Sequence, residues 1–388
     1  MHTILIIGGG FAGCEAAKRL AKLKDENLRI QVLEPKTHFE YHGSLYRFAT
    51  GTSPIETCIP YADIFSKLNV EIIKDSALSV DVQSKRVFGV SGCTYAYDTL
   101  LIGVGSSATT FGISGVKEHS FPMRNAVDAY RLKAQIEDCS RKNLLNFVVV
   151  GAGASGVELA GEIAFYARKL ADLHRHPGDL IHVHLVEAAK RILPGLPDSA
   201  SSAAMKRLSE LGVNVLTSRK VEREELGKLI LDDREILTST VVWTAGICGH
   251  ELLKSIDGLT LNSKGRVEVD ENLKARGVKD VFVLGDSAAT LQSGMAQTAL
   301  YDGLFVSRMI DAARRTDAAP LYEPPLPGYA VPIGGKWAVV VRGTRVYTGK
   351  MGWFFRRLLD LKVYLRMLPL TLALRAFRYG NIRENSDG

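Results

Sequence analysis

The sequence predicts an α/β protein with two parallel-sheet units, each opened by a strand, a glycine turn and a helix. Two copies of the motif G-x-G-x-x-G carry this prediction, at residues 8–13 and 151–156. An apolar run precedes each copy, and a helix-like stretch follows it. The next predicted strand then ends in an acid, Glu34 after the first copy and Glu187 after the second. Two complete patterns in one chain are much more specific than a single glycine-rich turn.

The glycines of the first copy are expected to have separate roles. Gly8 permits the sharp turn, Gly10 lets a pyrophosphate approach the backbone, and Gly13 lets the helix pack closely on the strand. The pyrophosphate is expected at the helix N-terminus, where free N–H groups favour negative charge. Glu34 lies about 20 residues beyond Gly13, the usual spacing for an acid that binds a ribose hydroxyl. The pattern therefore predicts a Rossmann-like site for a dinucleotide.

The second copy repeats the pattern and predicts a site for a second nucleotide. Glu187 is expected to bind its ribose and to repel a 2′-phosphate, which favours NAD over NADP. Lys190 and Arg191 lie nearby in the sequence and weaken that preference.

Composition and charge restrict the class of protein. The chain has 388 residues, enough for two or three domains, and its 46% hydrophobic content is that of a globular protein. The net charge of +7 suits an anionic partner, either nucleic acid or an acidic membrane face. No apolar run is long enough to predict a membrane-spanning helix. Because Met1 almost directly precedes the first predicted strand, no cleavable signal peptide is expected.

The five cysteines indicate what chemistry the chain lacks. They have neither C-x-x-C nor zinc-type spacing, so no metal site and no disulfide framework are predicted, and an intracellular location fits. In a disulfide reductase, a C-x4-C pair is expected in the loop after Glu34. The loop at residues 35–51 contains no cysteine, so the final electron acceptor is predicted to be something other than a disulfide.

Later strands return the chain to the first unit. Residues 97–106 and 241–246 are apolar strands that end in glycine, at Gly105 and Gly246. Residues 281–286 form another such strand, and its final residue, Asp286, is expected to place a carboxylate at the first nucleotide crevice. The predicted boundaries are 1–115 and 263–325 for the discontinuous first domain, 116–262 for the inserted domain, and 326–388 for a C-terminal region.

The C-terminal region differs from the rest of the chain. Residues 331–341 predict a β-hairpin, and residues 352–379 predict two helices separated by Pro369. The longer helix has two apolar stripes with basic residues between them, among them Arg356 and Arg357. This pattern favours association with an anionic lipid surface. The alternative is a core helix or a helix of a homodimer interface.

The order of motifs resembles a known superfamily. The residues that carry the resemblance are both glycine loops, Glu34, Tyr97-Asp98, Val157-Glu158-Leu159-Ala160-Gly161-Glu162, Trp243-Thr244-Ala245-Gly246 and Gly285-Asp286. They are similar to the two-dinucleotide-binding flavoproteins of the pyridine nucleotide–disulfide reductase superfamily. Within it, the chain most resembles the type II NADH dehydrogenases, which are membrane-bound, non-pumping NADH:quinone oxidoreductases. Four stretches favour this branch: residues 45–51, residues 191–194, residues 295–299 and the basic C-terminus.

The resemblance implies FAD in the discontinuous domain and NADH in the inserted one. The implied FAD contacts are Gly8, Gly10, Phe11, Ala12, Gly13, Glu34, Lys36, Gly105, Asp286 and Ala296, and the implied NADH contacts are Gly151, Gly153, Ser155, Gly156, Glu187 and Gly246. Hydride would pass from NADH to FAD, and the electrons would then pass to a membrane quinone. The protein would lie peripherally on the cytoplasmic face of the cell membrane.

Two residues are the implied catalytic candidates. Glu158 matches a family glutamate that contacts the nicotinamide end of NADH and takes part in proton transfer, and its alternative role is that of an acid stabilising a helix N-terminus. Gln297 matches a family glutamine beside the flavin and the quinone carbonyl, and its alternative role is a bond to backbone alone.

Departures from the family pattern leave the acceptor open. His42-Gly43-Ser44 replaces the usual proline segment, and Gly103-Val104-Gly105 replaces the usual Ala-Thr-Gly. The alternatives are a soluble NADH-dependent flavoprotein reductase with another acceptor, a sulfide:quinone oxidoreductase and a relative of apoptosis-inducing factor. The soluble reductase would lack membrane attachment. A sulfide:quinone oxidoreductase needs a cysteine pair near the flavin, and a relative of apoptosis-inducing factor would use its positive charge to bind nucleic acid. No nucleic-acid partner is predicted, because the visible basic cluster lies on the apolar C-terminal helices.

Overall fold

The computed structural model describes residues 1–175, 177 and 180–380, and its two five-stranded parallel sheets confirm the predicted α/β class. The first sheet has the order Val281–Val283, Thr99–Ile102, His2–Ile7, Leu28–Leu33 and Glu71–Ile73. Both ends of the chain thus contribute to this sheet. Its strands are apolar without alternation because both faces are covered, as in other parallel sheets.

A helix pair covers one face of the first sheet. The first helix, Phe11–Ala21, packs against the late helix Ala296–Arg315. Gly303 permits this close crossing, since a Cβ there would lie only 2.4 Å from the Ala12 carbonyl oxygen. The crossing places the N-termini of both helices at the same edge of the sheet.

The inserted unit repeats the plan. Its sheet has the order Phe121–Pro122, Thr240–Trp243, Asn146–Val150, His182–Glu187 and Val213–Thr217. Its helices are Ala126–Arg141, Ala154–His174 and Asp198–Glu210. All of these elements lie between the fourth and fifth strands, in chain order, of the first sheet.

Smaller elements complete the two units. Antiparallel meanders are formed by Ala77–Asp81, Arg86–Gly89 and Thr94–Ala96, and by Val221–Glu225, Lys228–Leu231 and Glu235–Leu237. A strand pair, His38–Glu40 with Cys58–Pro60, borders the loop after Glu34, and the short helices are Leu45–Ala49, Tyr61–Ile64 and Val116–His119. Ser106–Ala108 and Ile247–Gly249 pair with each other where the chain enters and leaves the inserted unit.

The C-terminal region contains more than the predicted hairpin. Tyr329–Pro332 and Ala338–Arg342 form the hairpin, and Arg345–Tyr347 adds a third antiparallel strand after a turn at Gly343. Two helices follow, Gly349–Met367 and Leu370–Tyr379. The last eight residues of the predicted region lie outside the part of the chain that is described.

The helix Gly349–Met367 differs from the prediction in where its charges lie. Phe354, Leu358 and Leu365 are exposed, with 54%, 42% and 45% of their surface accessible. Arg356 and Arg357, which were counted among the basic residues expected to favour a lipid surface, are instead buried. They turn inward because Asp360 of the same helix pairs with both of them and Glu56, far away in the sequence, pairs with Arg357. Within residues 1–175, 177 and 180–380, no helix combines the length and the apolar character needed to cross a bilayer.

Candidate functional site

A cavity of about 720 Å³ opens at the carboxyl ends of the first sheet's strands, the usual ligand position in such sheets. The predicted cofactor contacts that line it from the first unit are Gly8, Gly10, Phe11, Ala12, Glu34, Lys36, Gly105, Asp286 and Ala296. Ser155 and Gly246 of the inserted unit complete its wall. The predicted residues outside this lining are Gly13, Gly151, Gly153, Gly156, Glu187, Glu158 and Gln297. The structure therefore brings the two glycine loops to one cavity, although only part of the second loop reaches it.

The two glycine loops have nearly identical backbone geometry. Gly8 and Gly151 have φ of +102° and +98°, which favour glycine. A Cβ on Gly13 would lie 2.0 Å from the Gly8 carbonyl oxygen, and a Cβ on Gly156 would lie 1.8 Å from the Gly151 carbonyl oxygen. Gly13 and Gly156 therefore face their own turns and not the cavity. Because they have no side chain, each helix can pack tightly against the turn that precedes it.

The middle glycine of each loop faces open space. No heavy atom lies within 4 Å of a Cβ position built on Gly10 or Gly153. The helices that begin after them, Phe11–Ala21 and Ala154–His174, have no side-chain cap and no acid in the first turn. Their N-terminal N–H groups are thus open to an anion. The residues present therefore fit the pyrophosphate of a dinucleotide at each loop.

The two strand-end acids hold their own glycine loops. The Glu34 carboxylate accepts hydrogen bonds from the N–H groups of Gly9 at 2.8 Å and Lys36 at 3.1 Å. The Glu187 carboxylate accepts equivalent bonds from Ala152 at 2.6 Å and Ala189 at 2.8 Å. Each acid thereby fixes the loop before any nucleotide is present, in addition to the ribose contact predicted for it.

Tyr61 supports the first loop and was missed from the sequence. Its hydroxyl donates to the Gly9 carbonyl at 2.9 Å, and the residue lines the cavity. The buried Cys14 thiol donates to the same carbonyl at 3.1 Å. The Tyr61 contact has no sequence signal, because that residue lies 52 positions beyond Gly9, whereas Cys14 directly follows the glycine motif.

Asp286 lies at the predicted crevice within a hydrogen-bonded group. Its carboxylate accepts from the Ser106 hydroxyl at 2.9 Å and from the Gly294 N–H at 2.8 Å. Arg124 donates to the Ser106 hydroxyl at 2.7 Å and also lines the cavity. Burial lowers the pKa of Arg124, and the nearby Asp286 charge opposes that shift. Arg124 is a cationic wall residue that no motif indicated.

Glu40 is the centre of a second group of hydrogen-bonded and charged side chains in the cavity wall. Its carboxylate accepts from the Lys36 ammonium at 2.7 Å and from the Ala126 N–H of the inserted unit at 3.1 Å. The His38 and His42 imidazoles lie 3.7 and 4.0 Å from it. The segment in which His42 replaces the family proline therefore reaches the cavity.

Glu158 lies behind the second loop and not in the cavity wall. It is half-buried on the helix Ala154–His174. Burial raises the pKa of its carboxyl to about 8, although the Arg356 and Arg47 guanidinium groups oppose the shift. At neutral pH the carboxyl therefore carries a proton, so it can donate a hydrogen bond or release that proton.

Gln297 is engaged with backbone in this structure. Its side-chain nitrogen donates to the Gly328 carbonyl at 3.0 Å, and its side-chain oxygen accepts from the Gly328 N–H at 3.3 Å. It thus attaches the start of the helix Ala296–Arg315 to the segment before the C-terminal sheet. Its predicted quinone contact stays a prediction. Among the described residues, no three His, Cys, Asp or Glu side chains converge in a way that would hold a metal ion.

Comparison with known proteins confirms the resemblance read from the sequence. Residues 2–303 match the family model described as pyridine nucleotide-disulphide oxidoreductase. A type II NADH:quinone oxidoreductase of Staphylococcus haemolyticus is 26% identical over 399 residues, which cover 97% of this chain and 98% of that protein. The protein of the same name from Staphylococcus aureus strain MSSA476 is 26% identical over 400 residues, with the same coverage.

Solved structures share the fold. NDH2 from Plasmodium falciparum in complex with NADH superimposes with a TM-score of 0.87 at 16% identity, over 99% of this chain and 100% of that chain. The sulfide:quinone oxidoreductase of Aquifex aeolicus gives a TM-score of 0.80 at 20% identity, over 99% of this chain and 93% of that chain. Both similarities extend through the C-terminal region.

Proposed function

The chain belongs to the pyridine nucleotide-disulphide oxidoreductase family, and from this premise we propose that it is an FAD-dependent enzyme that oxidises NADH and reduces a membrane quinone without pumping protons. The single observation that carries the proposal is the cavity that both glycine loops border. A site that holds two nucleotides end to end is suited to transfer between them. The names of the curated relatives support the quinone as acceptor.

The first unit supplies the FAD site. The open side of Gly10 and the N-terminus of the helix Phe11–Ala21 would hold the pyrophosphate, and Glu34 would bind the ribose beside it. Asp286 lines the same cavity, and its carboxylate would accept hydrogen bonds from the ribityl hydroxyls. When bound, FAD supplies the capacity to accept a hydride from NADH and to pass two electrons onward.

The inserted unit supplies the NADH site in the same way. The space beside Gly153 is open and would accept the pyrophosphate, and Glu187 would bind the ribose. Ser155 and Gly246 line the cavity and lead from this loop toward the first unit. These two residues would therefore border NADH where it extends from the second glycine loop toward the first unit.

Glu158 supplies the proton chemistry in this proposal. Overall, reduction of a quinone to a quinol takes the hydride of NADH and one further proton. The carboxyl of Glu158 is protonated below its pKa of about 8 and lies two residues beyond the second glycine loop, so at neutral pH it would hold a proton just behind that loop. The cavity lining holds the cations Arg124 and Lys36 but also the carboxylates Glu34, Glu40, Asp128 and Asp286, so the attraction for an anionic pyrophosphate comes from the two helix N-termini.

The exposed face of the C-terminal helices is the proposed membrane contact. Phe354, Leu358 and Leu365 form its apolar surface on the first helix, and Leu370 and Leu374 extend it on the second. The exposed cations at its edge are Lys362, Arg375 and Arg378. Apolar side chains that enter lipid beside cations that meet anionic headgroups are typical of interfacial helices. We propose a peripheral position on the cytoplasmic face, while the homodimer stays a prediction.

The acceptor is what separates this proposal from its alternatives. The five cysteines all lie in the described part of the chain, and none of them lines the cavity, so a disulfide or a cysteine-bound sulfide has no partner there. The test is anaerobic bleaching of the bound flavin by NADH, followed by reoxidation with a short-chain quinone, a disulfide or an electron-transfer protein; a parallel sample receives sulfide in place of NADH as the reductant. We expect bleaching by NADH and rapid reoxidation by quinone. Bleaching by sulfide but not by NADH, or reoxidation by another acceptor but not by quinone, would overturn the proposal.

A further inference from the structure

An exposed phenylalanine lies beside the nucleotide site of the inserted unit. Phe111 is 65% exposed, although phenylalanine is among the residue types that are most often buried. Its φ of +53° lies in the left-handed region, which bulky side chains rarely adopt. Single exposed apolar side chains are common on protein surfaces, so the contacts of Phe111 decide whether its exposure has a function.

Hydrogen bonds hold the Phe111 backbone in this conformation. Its N–H donates to the Thr109 hydroxyl at 3.1 Å. The Thr109 carbonyl accepts from the Trp243 indole N–H at 2.9 Å, and the Thr109 N–H donates to the Gly246 carbonyl at 3.4 Å. The segment that carries Phe111 is therefore fixed to the end of the strand Thr240–Trp243. Unfavourable backbone conformations that are held in this way are typical of ligand-binding sites.

The ring of Phe111 packs directly on Gly246. A Cβ at Gly246 would lie 2.4 Å from the ring carbon Cζ, so a larger residue there would displace the ring. Gly246 also lines the cavity that both glycine loops border. The residue before it contacts the second loop, since a Cβ at Gly151 would lie 2.9 Å from the Ala245 Cα. The turn of Ala245 and Gly246 therefore connects the second glycine loop to the ring of Phe111.

The strand order indicates which half of NADH passes this turn. The strand Asn146–Val150 leads into the second glycine loop and has His182–Glu187 on one side and Thr240–Trp243 on the other. A dinucleotide lies across the carboxyl ends of such strands, with its pyrophosphate at the glycine loop. The adenosine half belongs on the side of Glu187, the acid expected at its ribose. The nicotinamide half therefore extends to the opposite side, where Phe111 lies.

We propose that Phe111 binds the nicotinamide half of NADH, which covers the exposed ring. An aromatic side chain in contact with this half removes apolar surface from water on both partners. Because hydrogen bonds already fix the segment, little conformational entropy is lost on binding. The inference rests on the proposed function for the NADH site in the inserted unit, and it is independent of the electron acceptor.

The test compares two probes by titration calorimetry of the oxidised, FAD-bound protein. NAD⁺ has both halves of the dinucleotide, whereas ADP has only the adenosine and the two phosphates. Phe111→Ala should weaken NAD⁺ binding about tenfold, because it removes an aromatic contact, and should leave ADP binding unchanged. Phe111→Tyr retains the ring and should retain the NAD⁺ affinity. Leu237→Ala is the matched control, because it shortens another exposed apolar side chain of the inserted unit and should change neither affinity.

Two results would overturn the inference: unchanged NAD⁺ affinity in Phe111→Ala, or an equal loss of affinity for both probes. Hydrogen exchange of the unaltered protein gives a second measurement that needs no variant. NAD⁺ should slow amide exchange in residues 109–113 and ADP should not, so equal exchange with both probes also rules the inference out. Neither measurement includes an electron acceptor, so failure of the quinone assay is a separate result.

Discussion

The Asp302 carboxylate accepts a hydrogen bond from the Gly285 N–H at 2.8 Å, although the two residues lie on different elements of the first unit. Its other oxygen accepts from the Tyr322 hydroxyl at 2.7 Å. Asp302 is fully buried on the helix Ala296–Arg315, directly behind the turn that presents Asp286. One side chain therefore fixes the Gly-Asp turn of the proposed FAD site and the segment that leads to the C-terminal region.

The first prediction concerns this link. Asp302→Asn should weaken FAD binding by about tenfold or more, because an amide offers one acceptor atom where the carboxylate satisfies two donors. Tyr322→Phe is the matched control, since it removes only the bond to the linker and should cost about 1 kcal/mol of stability with little change in flavin affinity. Fluorescence titration of the apoprotein with FAD measures both. Equal FAD affinity in Asp302→Asn and the unaltered protein would show that the turn holds its shape without this bond.

The second prediction is a pH dependence of stability. Burial raises the pKa of Asp302 to about 6 from its usual value near 4, against the opposing effect of its two hydrogen bonds. Between these two pH values the folded state binds more protons at this position than the unfolded state does. The contribution of Asp302 to stability should therefore fall as pH rises from about 4 to 6 and stay level above that. Thermal unfolding of the unaltered protein and Asp302→Asn across this range should give curves whose difference changes only in that window.

The third prediction separates the roles of two glycines in one loop. Gly10→Ala should fold, because a Cβ there meets no protein atom, yet it should bind FAD much more weakly, because the methyl group occupies the pyrophosphate space. Gly13→Ala should fail to fold, since its Cβ would lie 2.0 Å from the Gly8 carbonyl oxygen. Circular dichroism and flavin content distinguish the two outcomes. Full flavin occupancy in Gly10→Ala would contradict the assigned position of the pyrophosphate.

The fourth prediction concerns the membrane contact. Replacing Phe354, Leu358 and Leu365 by serine should reduce binding to anionic vesicles at least tenfold, because each large apolar side chain contributes about 1.5–3 kcal/mol when buried. The buried face of the helix stays intact in this variant, so NADH oxidation with a water-soluble quinone should persist. Serine at Leu226 and Leu237, which are 88% and 71% exposed on the inserted unit, is the matched control and should leave vesicle binding unchanged. Vesicle sedimentation measures both.

The fifth prediction concerns the choice between NADH and NADPH. Glu187→Gln should raise the ratio of NADPH to NADH activity by about tenfold, because it removes the charge that repels a 2′-phosphate. The change should be mainly in KM for NADPH. Lys190→Gln is the opposite control, and it should lower the same ratio. If the ratio of NADPH to NADH activity is unchanged in both variants, the 2′-phosphate of NADPH does not bind near Glu187 or Lys190.

The features that the sequence predicted correctly are those encoded locally. Gly8 and Gly151 adopt the turn that their motifs require, and the strands before them are buried and parallel. The acids Glu34 and Glu187 end the expected strands. In each case a short run of residues contains both the signal and its physical cause, so no knowledge of distant contacts was needed.

The features that escaped prediction depend on contacts between distant parts of the chain. Arg47 and Asp360 form a buried pair although they are 313 residues apart in the sequence. Helical periodicity places Asp360 on the same face as Arg356 and Arg357, but it carries no information about Glu56 and Arg47, the distant charges that pair with this face. Arg124 was missed for the same reason, because its partner Ser106 belongs to the strand pair that links the two units.

The buried pair of Arg47 and Asp360 also affects the order in which parts of the chain can fold during synthesis. All strands of the inserted sheet lie between Phe121 and Thr240–Trp243, so that unit can form while the ribosome is still extending the chain. The loop that carries Arg47 has to wait for Asp360, which emerges near the end of translation. Until then Arg47 can pair with Glu56 but not with Asp360, and the cavity wall at His42 lacks its contacts with the last long helix. We therefore expect the FAD site to be completed only after the last helices leave the ribosome.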